Sequence, residues 1–240
     1  MKNNDSYNTL GILGGLGPMA TVYFYEMLTE HTMASCDQDH INMIISSRAT
    51  TPDRTSFILG ESTNNPLPTM IQEAERLVSA GADVIVLPCN TAHYFYDELS
   101  RMAGVEIINI IKETVKFCVS KDFKKVGILA TEGTVKSGAY EKVCHELGVK
   151  TAYPSEESQK IINEIIYDEI KKGQAPSFDK FYKVSKELVD QGCQTLILGC
   201  TELSLLKKMG NLDKLYTDSL EVLAYVTILK CGKTAIGFDF

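Results

Sequence analysis

The sequence has no long apolar run and few basic residues. No stretch approaches the ~18 uninterrupted apolar residues of a membrane-spanning helix, and the polar residues 1–8 lack the apolar centre of a signal peptide. The 24 Lys and Arg residues face 31 Asp and Glu residues, which gives a formal charge of −7 over 240 residues. We therefore expect neither a nucleic-acid partner nor a membrane partner, although a local basic pocket for an acidic metabolite is compatible with this charge.

The cysteines lack the spacing of a disulfide framework or a metal site. Their number is odd, no CxxC pair occurs, and none lies beside histidines at zinc spacing. We expect a cytoplasmic protein with reduced thiols, most of them buried as small apolar side chains, and no metal. The seven cysteines are Cys36, Cys89, Cys118, Cys144, Cys193, Cys200 and Cys231.

Two of these cysteines lie in stretches that echo each other. Residues Gly81–Thr91 and Gly192–Glu202 each contain a glycine, an apolar run, and a cysteine eight positions after the glycine. An apolar run of this length after a helix-ending glycine is typical of a buried parallel strand. Cys89 and Cys200 then lie at strand ends, on the sheet edge where open α/β folds bind ligands.

The strand pattern also restarts halfway along the chain. Lys125–Thr131 parallels Thr9–Gly15, and 78 positions separate Gly11 from Cys89 where 73 separate Gly127 from Cys200. Two βαβ units of one design predict an α/β fold with two pseudo-symmetric lobes, each a parallel sheet flanked by helices, with the active site in the cleft between them. We expect residues 1–111 to form the N-terminal lobe and 112–217 the C-terminal lobe, with a closing helix in 218–240 packing back on the first.

The first strand ends in a glycine-rich turn, Gly14–Pro18, which suits an anion or is merely tight. Its GGxG spacing departs from the dinucleotide fingerprint. In the following loop, Arg54 could present a planar fork to a carboxylate, or it could pair with Asp53 or with a helix end. We also predict a strand at Ile107–Ile111, a helix after Thr134 that runs to about Leu147, and helices over Glu157–Lys172, Phe178–Asp190 and Ser219–Lys230.

A cysteine at a strand end can be inert packing, a nucleophile or a proton-transfer base. A nucleophile needs a base, and His93 alone among the histidines is near either cysteine in the sequence. Two opposed sulfurs favour a different reaction, in which one thiolate removes a proton from carbon and the other thiol returns one to the opposite face. Helix N-termini would lower the thiol pKa. No lysine signature for pyridoxal phosphate (PLP) is evident, so we expect racemisation or epimerisation without a cofactor. Short side chains suited to a substrate carboxylate are Asn90, Thr91, Thr131, Thr134 and Thr201.

Four motifs together resemble the aspartate/glutamate racemase family, most closely its aspartate racemases. They are Gly14–Thr21, Pro52–Thr55, Pro88–His93 and Gly199–Glu202, and the likeness covers nearly the whole chain. The resemblance implies PLP-independent racemisation of an acidic amino acid, with Cys89 and Cys200 as the two bases. It also implies a homodimer.

The resemblance implies further substrate contacts. Arg54 matches the arginine that binds a substrate carboxylate, and Lys171 matches a lysine near the substrate. Two departures are Leu16, in place of a methionine, and Ser47-Arg48, in place of Asn-Asn, which adds a cation near the expected pocket. The complete set of expected substrate-binding residues is Gly15, Leu16, Gly17, Ser47, Arg54, Thr55, Asn90, Thr91, Thr131, Thr134, Lys171, Thr201 and Glu202.

The leading hypothesis is a racemase acting on aspartate, with glutamate as an additional or alternative substrate. Related cleft enzymes are the second interpretation, namely a hydantoin racemase, a maleate isomerase or a malonate decarboxylase. Decarboxylation needs only one thiol, so the pair of cysteines counts against the last of these. A non-catalytic protein that binds an acidic metabolite is the third.

Overall fold

The computed structural model describes residues 9–210 and 212–240 and contains two parallel four-stranded sheets. The first has the order β2-β1-β3-β4, and its strands are β1 (Thr9–Gly14), β2 (Asn42–Ser47), β3 (Val84–Val86) and β4 (Glu106–Ile108). The second has the order β6-β5-β7-β8, and its strands are β5 (Lys125–Leu129), β6 (Lys150–Ala152), β7 (Thr195–Leu198) and β8 (Tyr216–Asp218).

Helices flank both sheets. The α-helices are α1 (Pro18–Glu30), α2 (Arg54–Ile58), α3 (Leu67–Ser79), α4 (Tyr96–Ala103), α5 (Ile110–Ser120), α6 (Glu132–Lys136), α7 (Ala139–Glu146), α8 (Glu156–Asn163), α9 (Phe178–Asp190), α10 (Thr201–Gly210) and α11 (Ser219–Lys230). Three 3₁₀ segments occur at Asp37–Asp39, Thr91–Phe95 and Ile170–Lys172, and a π-helix spans Glu164–Glu169. None of the helices in these ranges is long and apolar enough to cross a bilayer.

The two sheets share one strand order, which confirms the predicted pseudo-symmetric α/β fold. A glycine occupies the equivalent position in the first strand of each sheet, Gly11 in β1 and Gly127 in β5. A Cβ on Gly11 would lie 3.3 Å from the Leu77 Cβ of α3, and a Cβ on Gly127 would lie 3.2 Å from the Leu188 Cβ of α9. In each lobe, the missing side chain lets the helix that precedes the cysteine-bearing strand pack closely on the sheet.

One hydrophobic core joins the two sheets. Ile12 of β1 and Ile128 of β5 lie in the same buried cluster, together with Leu223 of α11. The closing segment also reaches the first half through an antiparallel bridge between Thr32 and Ala235. The proposed lobe boundary between residues 111 and 112 stays a prediction.

Three predicted elements were wrong in detail. The strand at Ile107–Ile111 ends at Ile108, because the Asn109 side chain accepts a hydrogen bond from the Lys112 amide at 2.9 Å and caps α5. The helix predicted to run to Leu147 is divided in two at Gly138, whose φ of 66° is left-handed. The helix over Glu157–Lys172 is regular only to Asn163 and continues as a π-helix and a 3₁₀ turn.

Candidate active site

The two cysteines of the echoed stretches line the same pocket. Cys89 follows β3, Cys200 follows β7, and each is 6% exposed. β3 and β7 occupy the same position in their sheets, so the sulfur-bearing residues come from equivalent points of the two lobes. The pocket is lined by Leu16, Asp53, Arg54, Thr55, Cys89, Asn90, Thr91, Thr131, Tyr167, Lys171, Cys200, Thr201 and Glu202.

The pocket is almost closed. Its cavity volume is about 10 Å³, which is roughly the space that a single water needs. Tyr167 helps to close it, since its hydroxyl donates to Thr55 Oγ1 at 2.7 Å from the opposite lobe. In this arrangement, the pocket has no room for a molecule larger than a water.

Four of the expected substrate-binding residues lie outside the lining. Ser47, at the end of β2, is exposed. Gly15 approaches the Arg48 backbone, and its amide donates to Thr21 Oγ1 at 2.9 Å. Gly17 lies beside the pocket, since a Cβ there would be 2.9 Å from Glu202 Oε1. The fourth, Thr134, lies immediately behind the lining.

Thr134 belongs to a triangle of hydroxyls that crosses the lobe interface. Thr91 Oγ1 is 3.0 Å from Thr131 Oγ1 and 2.8 Å from Thr134 Oγ1, and the last two are 3.0 Å apart. All three side chains are buried. Thr91 and Thr131 line the pocket, and their hydroxyl protons can rotate toward an anionic ligand.

Arg54 carries a buried positive charge. One terminal nitrogen donates to the Leu16 carbonyl at 2.8 Å, the other to the Pro52 carbonyl at 2.9 Å, and the Nε–H has no partner. Within residues 9–210 and 212–240, Arg54 forms no ion pair, and the residue is only 8% exposed. The alternative pairing with Asp53 is absent within these residues, and Asp53 instead caps α2 through the Ser56 amide. A buried charge without a counter-ion favours an anionic ligand.

Arg48 does not add a cation to the pocket, and that expectation was wrong. Its guanidinium donates to Glu73 Oε1 at 3.0 Å and to Thr50 Oγ1 at 3.2 Å. Ser46 and Arg76 also donate to the buried Glu73 carboxylate. This network holds the Arg48 guanidinium against Glu73 of α3, outside the pocket lining.

Cys200 lies in a charged environment. Its Sγ donates to Glu202 Oε2 at 3.0 Å, and Lys171 Nζ lies 3.9 Å from Glu202 Oε1. Burial, with the Glu202 charge as the next cause, raises the pKa of the Cys200 thiol well above its usual value. The expectation of a lowered thiol pKa was therefore wrong for Cys200, because desolvation and a neighbouring carboxylate both raise the pKa.

Among the described residues, Cys89 has no carboxylate contact like that of Cys200. It precedes a 3₁₀ segment of five residues rather than an α-helix. His93 Nδ1 lies 2.9 Å from the Cys89 carbonyl, and its Nε2 accepts from the Ile110 amide at 3.3 Å, so Nδ1 carries the proton. Burial lowers the pKa of His93 to about 4. This histidine orients the backbone of Cys89, and both of its ring nitrogens are engaged away from the sulfur.

Asp53 and Tyr167 line the pocket but were missed by sequence reasoning. Asp53 belongs to the Pro52–Thr55 motif, so its place in the motif was the available signal. Tyr167 carries Lys171 over its ring, with Nζ 4.3 Å from the ring centroid. Tyr167 belongs to the π-helix, and Lys171 belongs to the 3₁₀ turn that follows it. A π-helix often marks a functional site. Among the residues with described positions, no cluster of three or more His, Cys, Asp or Glu could hold a metal.

Comparison with known proteins gives a consistent result. Residues 13–224 match the family model described as Asp/Glu/hydantoin racemase. A broad-specificity amino-acid racemase of Bacillus subtilis, RacX, is 29% identical over 81% of this chain and 86% of its own length. A glutamate racemase of Aquifex aeolicus is 31% identical over 56% of this chain, and the match spans about half of that relative's length (52%).

The fold comparison agrees. The structure of Picrophilus torridus aspartate racemase superposes with a TM-score of 0.80 at 29% identity, covering 95% of this chain and 96% of that one. The family match spans most of the chain, and the solved relative has the same two-lobed architecture. The protein accordingly belongs to the Asp/Glu/hydantoin racemase family and is an isomerase of the PLP-independent aspartate/glutamate racemase type.

Proposed function

We propose that the protein interconverts L- and D-aspartate by two-base proton transfer at Cα, with glutamate as a second substrate. The observation that carries the proposal is that Cys89 and Cys200 line one closed pocket from equivalent ends of two lobes. A base on each face of a carbon is what inversion of configuration requires. The likeness to an aspartate racemase over 95% of the chain supports aspartate over other amino acids.

The side chains around the sulfurs have the chemistry that an acidic amino acid needs. Arg54 offers a buried, unpaired guanidinium with a free Nε–H, and Lys171 offers a second cation at the rim. One cation for each carboxylate matches a dicarboxylic substrate. The threonine hydroxyls of the pocket are placed to stabilise enolate-like charge at the α-carboxylate as the Cα–H bond breaks.

The test is isotope exchange with each acidic amino acid. L-Aspartate and L-glutamate are incubated separately in D₂O, and the products are analysed by chiral chromatography and mass spectrometry. We expect D-aspartate carrying deuterium at Cα. Cys89→Ser and Cys200→Ser should each slow racemisation by about 100-fold to 10,000-fold, the usual contribution of a general acid or base.

Cys193→Ser is the matched control, since Cys193 is equally buried but lies at the other end of β7 and outside the pocket. Its rate should stay near that of the wild type. Either pocket variant retaining a near-normal rate would rule out the two-base mechanism. Faster turnover of glutamate than of aspartate would overturn the substrate assignment. Thermal stabilisation by aspartate without deuterium exchange would instead indicate a binding protein.

A further inference from the structure

The two lobes differ at the second residue after each cysteine. In the N-terminal lobe this residue is Thr91, whose hydroxyl belongs to the threonine triangle. In the C-terminal lobe it is Glu202, whose carboxylate lies 3.0 Å from the Cys200 sulfur. The Cys89 sulfur has no hydrogen-bond partner among the residues whose positions the structure describes. Pseudo-symmetry therefore holds for the backbone and fails for the environment of the two thiols.

The contact at Cys200 specifies where a proton lies. A carboxylate can only accept hydrogen bonds, so the bond from Sγ to Oε2 requires the proton to be on sulfur. Glu202 is 6% exposed and also accepts from Thr201 Oγ1 at 3.5 Å. Deprotonated, Cys200 would place two negative charges about 3 Å apart in a buried site. The ionisable and charged groups that share the pocket with Cys200 are Asp53, Arg54, Cys89, Tyr167, Lys171 and Glu202.

We propose that Glu202 is a positioning residue that keeps the resting proton on Cys200, so that Cys89 enters the reaction as the base and Cys200 as the proton donor. The inference rests on the racemase function proposed above and adds to it a fixed resting state. Lys171 Nζ lies 3.9 Å from Glu202 Oε1, so Lys171 holds the carboxylate by one oxygen while the other oxygen contacts the sulfur.

The reaction step that follows is balanced in protons and electrons. The Cys89 thiolate takes the Cα proton, so the C–H bond breaks, an S–H bond forms, and the electron pair remains on the substrate carbon. The Cys200 S–H bond then breaks, and its proton joins that electron pair on the opposite face. The product complex carries a Cys89 thiol and a Cys200 thiolate. After the product leaves, solvent water takes the proton from the Cys89 S–H and supplies one to the Cys200 thiolate, which the nearby Glu202 charge disfavours.

The test measures the protonation of each thiol without substrate. The full-length protein is treated with iodoacetamide over a pH series, and modification of Cys89 and Cys200 is followed separately by peptide mass spectrometry. In the wild type, we expect Cys89 to become reactive at a lower pH than Cys200. In Glu202→Gln, the Cys200 midpoint should fall by about one pH unit or more, because the neighbouring negative charge is gone.

Glu202→Thr provides a second variant that reproduces the residue of the other lobe, and it should lower the Cys200 midpoint in the same direction. Asp53→Asn is the control, since it removes the other pocket carboxylate, whose recorded contact is with the Ser56 amide rather than with sulfur. Ultraviolet thiolate absorbance, taken as the difference from Cys200→Ser, gives the same midpoint without a reagent having to enter the closed pocket.

Two results would overturn the proposal. One is a Cys200 midpoint that is unchanged in both Glu202 variants. The other is an equal fall in Asp53→Asn, which would indicate the general field of the pocket rather than the contact. These measurements need no turnover, so they are independent of the racemase assay. An unchanged Cys200 midpoint in the Glu202 variants, in a protein that racemises its substrate, would reject only the role of Glu202.

Discussion

Arg54 and Arg48 lie six residues apart and have opposite surroundings. Arg54 is buried against backbone carbonyls with no carboxylate partner, whereas Arg48 is neutralised by Glu73 outside the pocket. A buried and unpaired guanidinium costs stability unless a ligand supplies the counter-charge. The contrast supports the proposed anion recognition by Arg54 and indicates a structural role for Arg48.

Arg54→Lys should raise KM for aspartate about tenfold or more, because an ammonium keeps the charge but loses the planar fork and the free Nε–H. Steady-state kinetics measure this change. Arg48→Lys is the matched control and should change kcat and KM by less than about twofold, since Arg48 pairs with Glu73 outside the pocket lining and lysine keeps that charge. Equal effects of the two substitutions would contradict the assignment of Arg54 to substrate binding.

His93 makes stability depend on pH. Its folded-state pKa of about 4 lies below the ordinary value of 6.5 because the ring is fully buried. The unfolded chain therefore binds a proton that the folded chain does not, and this contribution is lost as the pH falls from about 6.5 toward 4.

We expect the titration of His93 to make the free energy of unfolding, measured with urea, about 2 kcal/mol lower at about pH 5 than at about pH 7. His93→Gln should lose that part of the acid sensitivity while being less stable at neutral pH, because the bonds to the Cys89 carbonyl and the Ile110 amide are weakened. An identical pH dependence in the variant and the wild type would show that His93 titrates normally.

At the scale of elements, the segment after α8 matters most for the site. The π-helix at Glu164–Glu169 places Tyr167 against Thr55, and the next turn places Lys171 over the tyrosine ring. Burial raises the pKa of the Tyr167 hydroxyl, so it remains a neutral donor. One irregular segment thus closes the pocket and holds a cation in it.

A double-mutant cycle tests this closure. Tyr167→Phe and Thr55→Val should each lower kcat/KM about 3-fold to 10-fold, the value of one hydrogen bond. The double variant should be no worse than either single one, since all three lack the same bond. Tyr182→Phe, an exposed tyrosine on α9, is the control. Losses that multiply in the double variant would mean that the two hydroxyls act separately.

At the scale of the whole molecule, function depends on how closely the lobes approach. Gly133 of α6 faces Thr55 of α2, and a Cβ at Gly133 would lie 2.9 Å from the Thr55 Cα. The contact is with backbone, so a side chain could be accommodated only by moving the lobes apart. The pocket between them is closed to about 10 Å³ by the same approach.

Gly133→Ala should therefore reduce kcat/KM and lower the free energy of unfolding by about 1–3 kcal/mol, as overpacking does. Urea unfolding and kinetics measure the two effects. Lys136→Ala, on an exposed position of α6, should change stability by less than about 0.5 kcal/mol. If the lobes can separate freely, alanine would instead raise stability by about 1 kcal/mol through its better helix propensity.

The predicted homodimer belongs to this scale as well, and it stays a prediction. Light scattering after size-exclusion chromatography measures the molecular mass directly. The exposed side of α1 presents a helical row of three apolar side chains, Met19, Val22 and Tyr25. If the measured mass is that of a dimer, polar substitutions in this row would test whether α1 forms the interface.

Sequence reasoning succeeded where the pattern is local. The strand before Cys89 and the strand before Cys200 are short apolar runs bounded by glycine, so both strand ends could be located. The helices Phe178–Asp190 and Ser219–Lys230 have the predicted bounds because strong amphipathic or apolar periodicity and clear ends define them.

It failed where partners distant in the chain decide the outcome. Arg48 was expected near the ligand and instead meets Glu73, 25 residues away. Tyr167 meets Thr55 across 112 residues, and nothing in the sequence around either residue indicates that contact. The thiol pKa of Cys200 was expected to be low, because the helix that follows is visible in the sequence whereas desolvation is not.

The sequence by itself determined the two-lobed α/β fold, the family, and the position of Cys89 and Cys200 after equivalent strands. Each of these depends on short patterns that recur at matching places along the chain. The tertiary structure alone decided which side chains meet between the lobes. It closed the pocket through Tyr167 and Thr55, left Arg54 without a counter-ion and placed a carboxylate beside one thiol only. Charge and burial depend on distances in space, and residues far apart in the chain set those distances only when the lobes pack together.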